Sequence, residues 1–114
     1  MLTTRVTERP TCTVVVVEGE LDMSTAPDLN DVLTTAIAAR EVSLVLDLAS
    51  LEFCDSAGLA VFVGAHNRLD ASGRRLVVAA PTEAVARVLD LSGVSQVIPT
   101  TADSDEACAM VSSG

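Results

Sequence analysis

The chain has 114 residues, the size of one domain, and folding at that length removes roughly two-thirds of the unfolded chain's surface from water. Its net charge of −9 argues against nucleic acid and anionic membrane as partners and favours a soluble protein that meets a basic surface. Apolar residues make up 49%, mainly Val, Leu and Ala, with Phe53 and Phe62 the two aromatics, so the core must pack aliphatic side chains between layers.

Leu2 to Glu8 alternates weakly and predicts a short edge strand, followed by a turn at Arg9-Pro10. Thr11 to Glu18 contains Val14-Val15-Val16-Val17, a buried strand that stops at Gly19, and Gly19 to Met23 reads as a loop. Ser24 or Thr25 can cap the next helix, with Pro27 in its first turn and Asp28 complementing its dipole. Leu29, Val32, Leu33, Ala36 and Ile37 give that helix one apolar face, and it ends near Arg40.

Ser43 to Leu48 is a near-continuous apolar run, the pattern of a strand covered on both faces. Ala49 to Cys54 is a connection, and a helix begins at Asp55-Ser56 and ends at Ser72-Gly73, with Gly73 as its left-handed terminator. Arg75 to Ala80 is another buried strand. Pro81-Thr82 opens a helix with Val85, Val88 and Leu89 inward and Gly93 as its stop. Ser95 to Ile98 reads as a short strand ended by Pro99. Asp103 or Ser104 caps a last helix carrying Ala107, Met110 and Val111, and Ser112 to Gly114 frays. The pattern is an α/β domain spanning 1–114, with a mostly parallel sheet of about five strands, an antiparallel N-terminal edge strand and four helices. Functional groups in such a sheet sit at the carboxyl ends of the strands, here Gly19 to Thr25, Ala49 to Ser56, and Pro81-Thr82.

Cys12, Cys54 and Cys108 are odd in number and include no C-x-x-C pair, which predicts three reduced thiols in a cytoplasmic protein. No signal sequence and no apolar run of membrane-spanning length is visible, so direct membrane insertion is not expected. There is no phosphate-cradling glycine motif, and neither a cofactor nor a metal site is expected. His66 lies nearly three turns beyond Ser56 on the same helix, too far to serve as its base, and reads as a boundary residue. Asp22 and Asp55 could pair for acid–base work but lack a base, metal ligand or cleft signal, and read as solvated loop acids. Asp47 ends a central strand, the position of the phosphoacceptor in response-regulator receivers. Those domains also carry paired acids after their first strand. Val14 to Val17 is followed instead by Glu18-Gly19-Glu20-Leu21-Asp22, so Asp47 reads as a local loop brace. The chain reads as a binding module, not an enzyme.

Ser56 is the informative hydroxyl. It stands where free backbone N–H groups and the positive end of a helix dipole meet, a good place to carry phosphate. Ala57 and Gly58 follow with minimal side chains and leave that hydroxyl open. With Leu59 at the centre of the buried edge, Phe62, Leu69, Val61 and Ala65 share the inward side, and Ala57, Ala60, Val63 and Gly64 face outward. Either a partner or a second helix of the same domain closes on that smooth face.

Gly19-Glu20-Leu21-Asp22, Leu44-Val45-Leu46-Asp47-Leu48, Leu51-Glu52-Phe53-Cys54-Asp55-Ser56-Ala57-Gly58-Leu59, Gly73-Arg74-Arg75-Leu76-Val77-Val78 and Leu89-Asp90-Leu91-Ser92-Gly93-Val94 together resemble the bacterial anti-sigma factor antagonists of the STAS family. The resemblance runs from about Thr4 to Val111, and Asp-Ser-x-Gly-Leu after a strand is its most specific element. It implies an antagonist whose unphosphorylated form binds an anti-sigma factor that is also a GHKL-type serine kinase, freeing the sigma factor. It implies Ser56 as phosphoacceptor, Asp55 orienting it, and Asp22, Met23, Ser24 and Thr25 joining it in the partner surface. A PP2C-type phosphatase would restore the binding form. Ala57 departs from the Ser or Thr of many members, which leaves Ser56 as the single hydroxyl of the motif. Broader relatives are subunits of lipid or membrane transport complexes, or cytoplasmic tails of anion transporters, in which the serine need not be phosphorylated. A constitutive structural subunit of that kind is the alternative reading.

Overall fold

A computed structural model describes residues 1–112. The strands are β1 (Leu2–Glu8), β2 (Cys12–Leu21), β3 (Ser43–Asp47), β4 (Leu51–Cys54), β5 (Leu76–Ala79) and β6 (Thr100–Thr101). The helices are α1 (Ala26–Ala39), α2 (Ser56–Ala71), α3 (Glu83–Ser92) and α4 (Ser104–Ser112), with a short 3-10 turn at Val94–Gln96. The sheet runs β1-β2-β3-β5-β6, with β4 pairing the far end of β2, and every pairing is parallel except β1 with β2.

The apolar strands bury both faces, and their alternation sorts side chains into two cores. Val15, Val17, Leu44, Leu46, Leu76 and Val78 meet Leu29 and Leu33 of α1, Phe62 and Leu69 of α2, and Val85 and Leu89 of α3. Cys12, Val14, Val45, Val77 and Ala79 meet Ala107 and Cys108 of α4 on the opposite face. Each fully buried Leu, Val or Phe side chain contributes about 1.5–3 kcal/mol.

Four local expectations are corrected. β2 does not stop at Gly19 but continues to Leu21 through a bulge between Gly19 and Glu20. Gly19 sits at φ 104°, and a Cβ there would run into the Met1 carbonyl oxygen, so glycine is required. Leu51–Cys54 is not a bare connection but a sixth strand, because the extended β2 gives it a partner. The strand predicted at Ser95–Ile98 is displaced to Thr100–Thr101. Gly93, at φ 84°, instead starts the 3-10 turn, and pairing with β5 opens with Val78 N–H donating to the Pro99 carbonyl at 2.9 Å. Finally, Cys12 and Cys108 are joined by a disulfide with a Cα–Cα distance of 5.9 Å, leaving Cys54 as the free, buried cysteine. Sequence separation of 96 residues hid that pair from any spacing argument. Ser112 closes α4, its hydroxyl bonded to the Cys108 carbonyl at 2.7 Å, whereas the fraying expected of Ser113 and Gly114 lies outside the described residues. Among the described residues, no helix is long and apolar enough to cross a membrane.

Candidate functional site

The parallel register of β2 and β4 aligns Leu21 with Cys54. One residue beyond each stands an aspartate, Asp22 and Asp55, and the Asp55 N–H donates to the Leu21 carbonyl at 3.1 Å. Two loops distant in sequence thereby meet at the carboxyl end of the sheet, each leading into a helix.

At the start of α2, Asp55 is extended (φ −105°, ψ −172°) and its Oδ1 accepts from Ala57 N–H at 2.9 Å and Gly58 N–H at 3.2 Å. Asp55 is therefore the cap, and Ser56 is the first helical residue. Asp55 acts on Ser56 through the backbone, by fixing the turn from which the hydroxyl projects. Ser56 is exposed, and its hydroxyl has no hydrogen-bond partner among the described residues. It is spared structural duty by the aspartate before it.

Gly58 corrects an expectation. It is buried, and a Cβ there would lie 2.6 Å from the Leu21 side chain and 2.9 Å from Cys54 Sγ. Gly58 thus lets α2 close onto β2 and β4 and presents no side to a partner. The inward face of α2 is likewise rotated from the expected one. It runs Gly58, Phe62, Ala65, Leu69, with Leu59 and Val61 only half-buried. Ala60 is exposed, whereas Ala57 and Val63, both expected to face outward, are half-buried and packed against the core. α1 packs beside α2, and Arg68 Nη1 donates to Thr34 Oγ1 at 2.8 Å across that seam. The neighbouring helix leaves the line through Ser56, Ala60 and Asn67 in solvent.

The second loop is braced by Asp22. Its Oδ1 accepts from Ser24 N–H (2.9 Å), Ser24 Oγ (2.7 Å) and Thr25 N–H (3.1 Å). The Ser24 hydroxyl, with further bonds from the Ser24 and Thr25 amides and the Thr25 hydroxyl, holds the Asp22 carboxyl below its usual range despite some opposing desolvation. Thr25 occupies the cap position of α1 but makes no capping bond with its side chain. Its hydroxyl donates to the Glu20 carbonyl at 3.0 Å and accepts from Asp22 N–H at 2.9 Å. Met23, at the tip, is 79% exposed. Phe53, paired with Glu20 across the β2–β4 ladder, is 50% exposed at the same end of the sheet. The sequence reasoning missed it, and reading Leu51–Cys54 as a strand was the signal that would have found it.

Cys54 lies beneath this surface, and burial, with help from the Asp55 charge, pushes its thiol up to about 11, so it stays protonated and inert. Asp47 is the brace expected: Oδ1 accepts from Ala49 N–H at 3.1 Å and Oδ2 from Ser104 Oγ at 2.9 Å. No group of three or more His, Cys, Asp or Glu gathers as a metal site among the described residues.

Two helices thus start side by side at one end of a mostly parallel sheet, with Ser56 exposed behind its capping aspartate, and the family model of the STAS domain matches residues 3–107. The chain belongs to the STAS-domain family of anti-sigma factor antagonists. It is 31% identical over 82 residues to an anti-sigma-B factor antagonist of Staphylococcus epidermidis, covering 72% of this chain and 76% of the relative. It is 33% identical over 87 residues to an anti-sigma F factor antagonist of Paenibacillus polymyxa, covering 75% and 74%. The crystal structure of an anti-sigma factor antagonist from Mycobacterium paratuberculosis superposes with a TM-score of 0.85 at 31% identity, over 98% of this chain and 95% of that one.

Proposed function

We propose that this chain is an anti-sigma factor antagonist whose unphosphorylated form binds a GHKL-type kinase acting as anti-sigma factor, and that phosphate on Ser56 abolishes that binding. The observation that carries this reading is the exposed Ser56 hydroxyl, unbonded and fixed at the first turn of α2. The partner surface comprises Ser56, Ala60 and Asp55 on one side and Asp22, Met23, Ser24 and Thr25 on the other, with Phe53 added and Ala57 and Val63 at its margin. A PP2C-type phosphatase returns the protein to its binding form.

The switch is electrostatic. Phosphate adds about −1.5 to −2 charges. The start of a helix tolerates that charge, so the fold is unchanged. Across a closed interface, one added repulsion at ~4 Å and an effective dielectric near 20 costs about 4 kcal/mol. Even half of that weakens binding roughly thirtyfold. The test is titration calorimetry with the cognate anti-sigma factor. Ser56→Ala keeps parental affinity and takes no phosphate from the kinase and ATP, whereas Ser56→Asp binds at least about tenfold more weakly. Equal affinity of Ser56→Asp and parent overturns the charge mechanism.

A further inference from the structure

The disulfide lies on the face of the sheet opposite α1, α2 and α3, where α4 is the one helix among the described residues. That helix spans nine residues and covers Val14, Val45, Val77 and Ala79. Three tethers hold it to the turn after β1 and to the first residue of β2: the Cys12–Cys108 bond, an ion pair of Arg9 Nη1 with Asp105 Oδ1 at 2.7 Å, and a hydrogen bond between the Ser112 and Thr11 hydroxyls. The two polar tethers have exposed partners, and such contacts contribute little. The covalent one closes a loop of nearly the whole chain, the situation in which a cross-link restricts the unfolded state most. Cys12 is fully buried, while Cys108 is 7% exposed on a helix of nine residues, and so short an element opens locally without global unfolding.

We propose that Cys12 and Cys108 form a reversible redox latch on α4. Oxidised, the latch seals α4 over the valine face. Reduced, it lets α4 open. In the reducing direction, a thiolate of a dithiol reductant attacks Sγ of Cys108 and the Cys12–Cys108 bond breaks. Cys12 leaves as thiolate and takes a proton from water. The reductant's second thiolate then attacks the mixed disulfide and releases Cys108, which is protonated in turn. Two electrons pass to the cysteine pair and the reductant becomes a disulfide. In the oxidising direction, a low-molecular-weight disulfide accepts the two electrons and leaves as two thiols.

The test uses the full chain, treated with glutathione disulfide or with dithiothreitol and then alkylated in denaturant. Of the three cysteines, the oxidised protein takes up one alkyl group, at Cys54, and the reduced protein takes up all three. On reduction, hydrogen exchange of the α4 amides accelerates by at least about tenfold, and the melting temperature falls by about 10 °C. Cys108→Ser reproduces the reduced behaviour under both treatments. Should that variant not fold, the parent under dithiothreitol makes the same comparison. Three alkyl groups after oxidation, α4 exchange unaffected by reduction, or a bond that resists dithiothreitol in the native protein each overturns the latch.

Discussion

Asp55 N–H donates to the carbonyl oxygen of Leu21 at 3.1 Å, and this bond sets the carboxyl end of β2 against the first residue before α2. It fixes the distance between the Asp22 loop and the Ser56 hydroxyl, two features separated by more than thirty positions along the chain. The binding surface proposed above is continuous because of it.

The Asp55 side chain supports that junction from the helix side. Asp55→Ala removes the acceptor of two N–H groups and costs about 1 kcal/mol of stability. Urea denaturation measures it. Asp55→Ser retains a capping oxygen and recovers most of the loss, while Ser56→Ala stays within about 0.5 kcal/mol of the parent.

Gly58 and Ala60 lie two residues apart and answer differently to added volume. Gly58→Ala forces a methyl against Leu21 and Cys54 and destabilises by about 1–3 kcal/mol. Ala60→Ser, on the solvent side, changes stability by less than about 0.5 kcal/mol. A thermal melt of the two variants distinguishes them. If Gly58→Ala is as stable as the parent, the close approach of α2 to β2 is not as described.

The Asp22 loop is sensitive to acid. The fold depresses the Asp22 pKa below its ordinary 3.8, so the unfolded chain takes up a proton there first as pH falls. The stabilisation is complete above that ordinary value and fades as pH drops through the folded one. Asp22→Asn therefore flattens the acid limb of a stability profile measured from about pH 5 down to about pH 2. Ser24→Ala moves the Asp22 carboxyl back toward its ordinary value, which carboxyl NMR titration reads directly.

Cys54 resists modification in the native state. With its thiol pushed up to about 11, the thiolate at pH 8 is on the order of one part in a thousand, and burial blocks access besides. Iodoacetamide labels Cys54 at least about a hundredfold more slowly in the folded protein than in urea. Labelling at equal rates would show that α2 does not stay closed over it.

Much of the architecture is written in local pattern. Valine and leucine runs of strand length, helical apolar spacing, and Gly73 and Gly93 at left-handed ends (φ 74° and 84°) place most elements without reference to one another. These features depend on backbone sterics and on burial of each element's own face. What failed depended on a neighbour. Leu51–Cys54 is extended because β2 runs past Gly19 to meet it. The inward side of α2 is set by Leu21 and Cys54, which admit only a glycine at 58.

The order of residues alone determined that Ser56 would stand at the mouth of a helix, after an aspartate and before small side chains. Only the tertiary structure decided that Asp22 and Met23 arrive beside that hydroxyl, and that Cys12 finds Cys108. The reason is physical. Capping and periodicity are interactions within a few residues. The meeting of two strand ends, or of two sulfurs 96 residues apart, is fixed by how the sheet orders its strands and which face each helix covers.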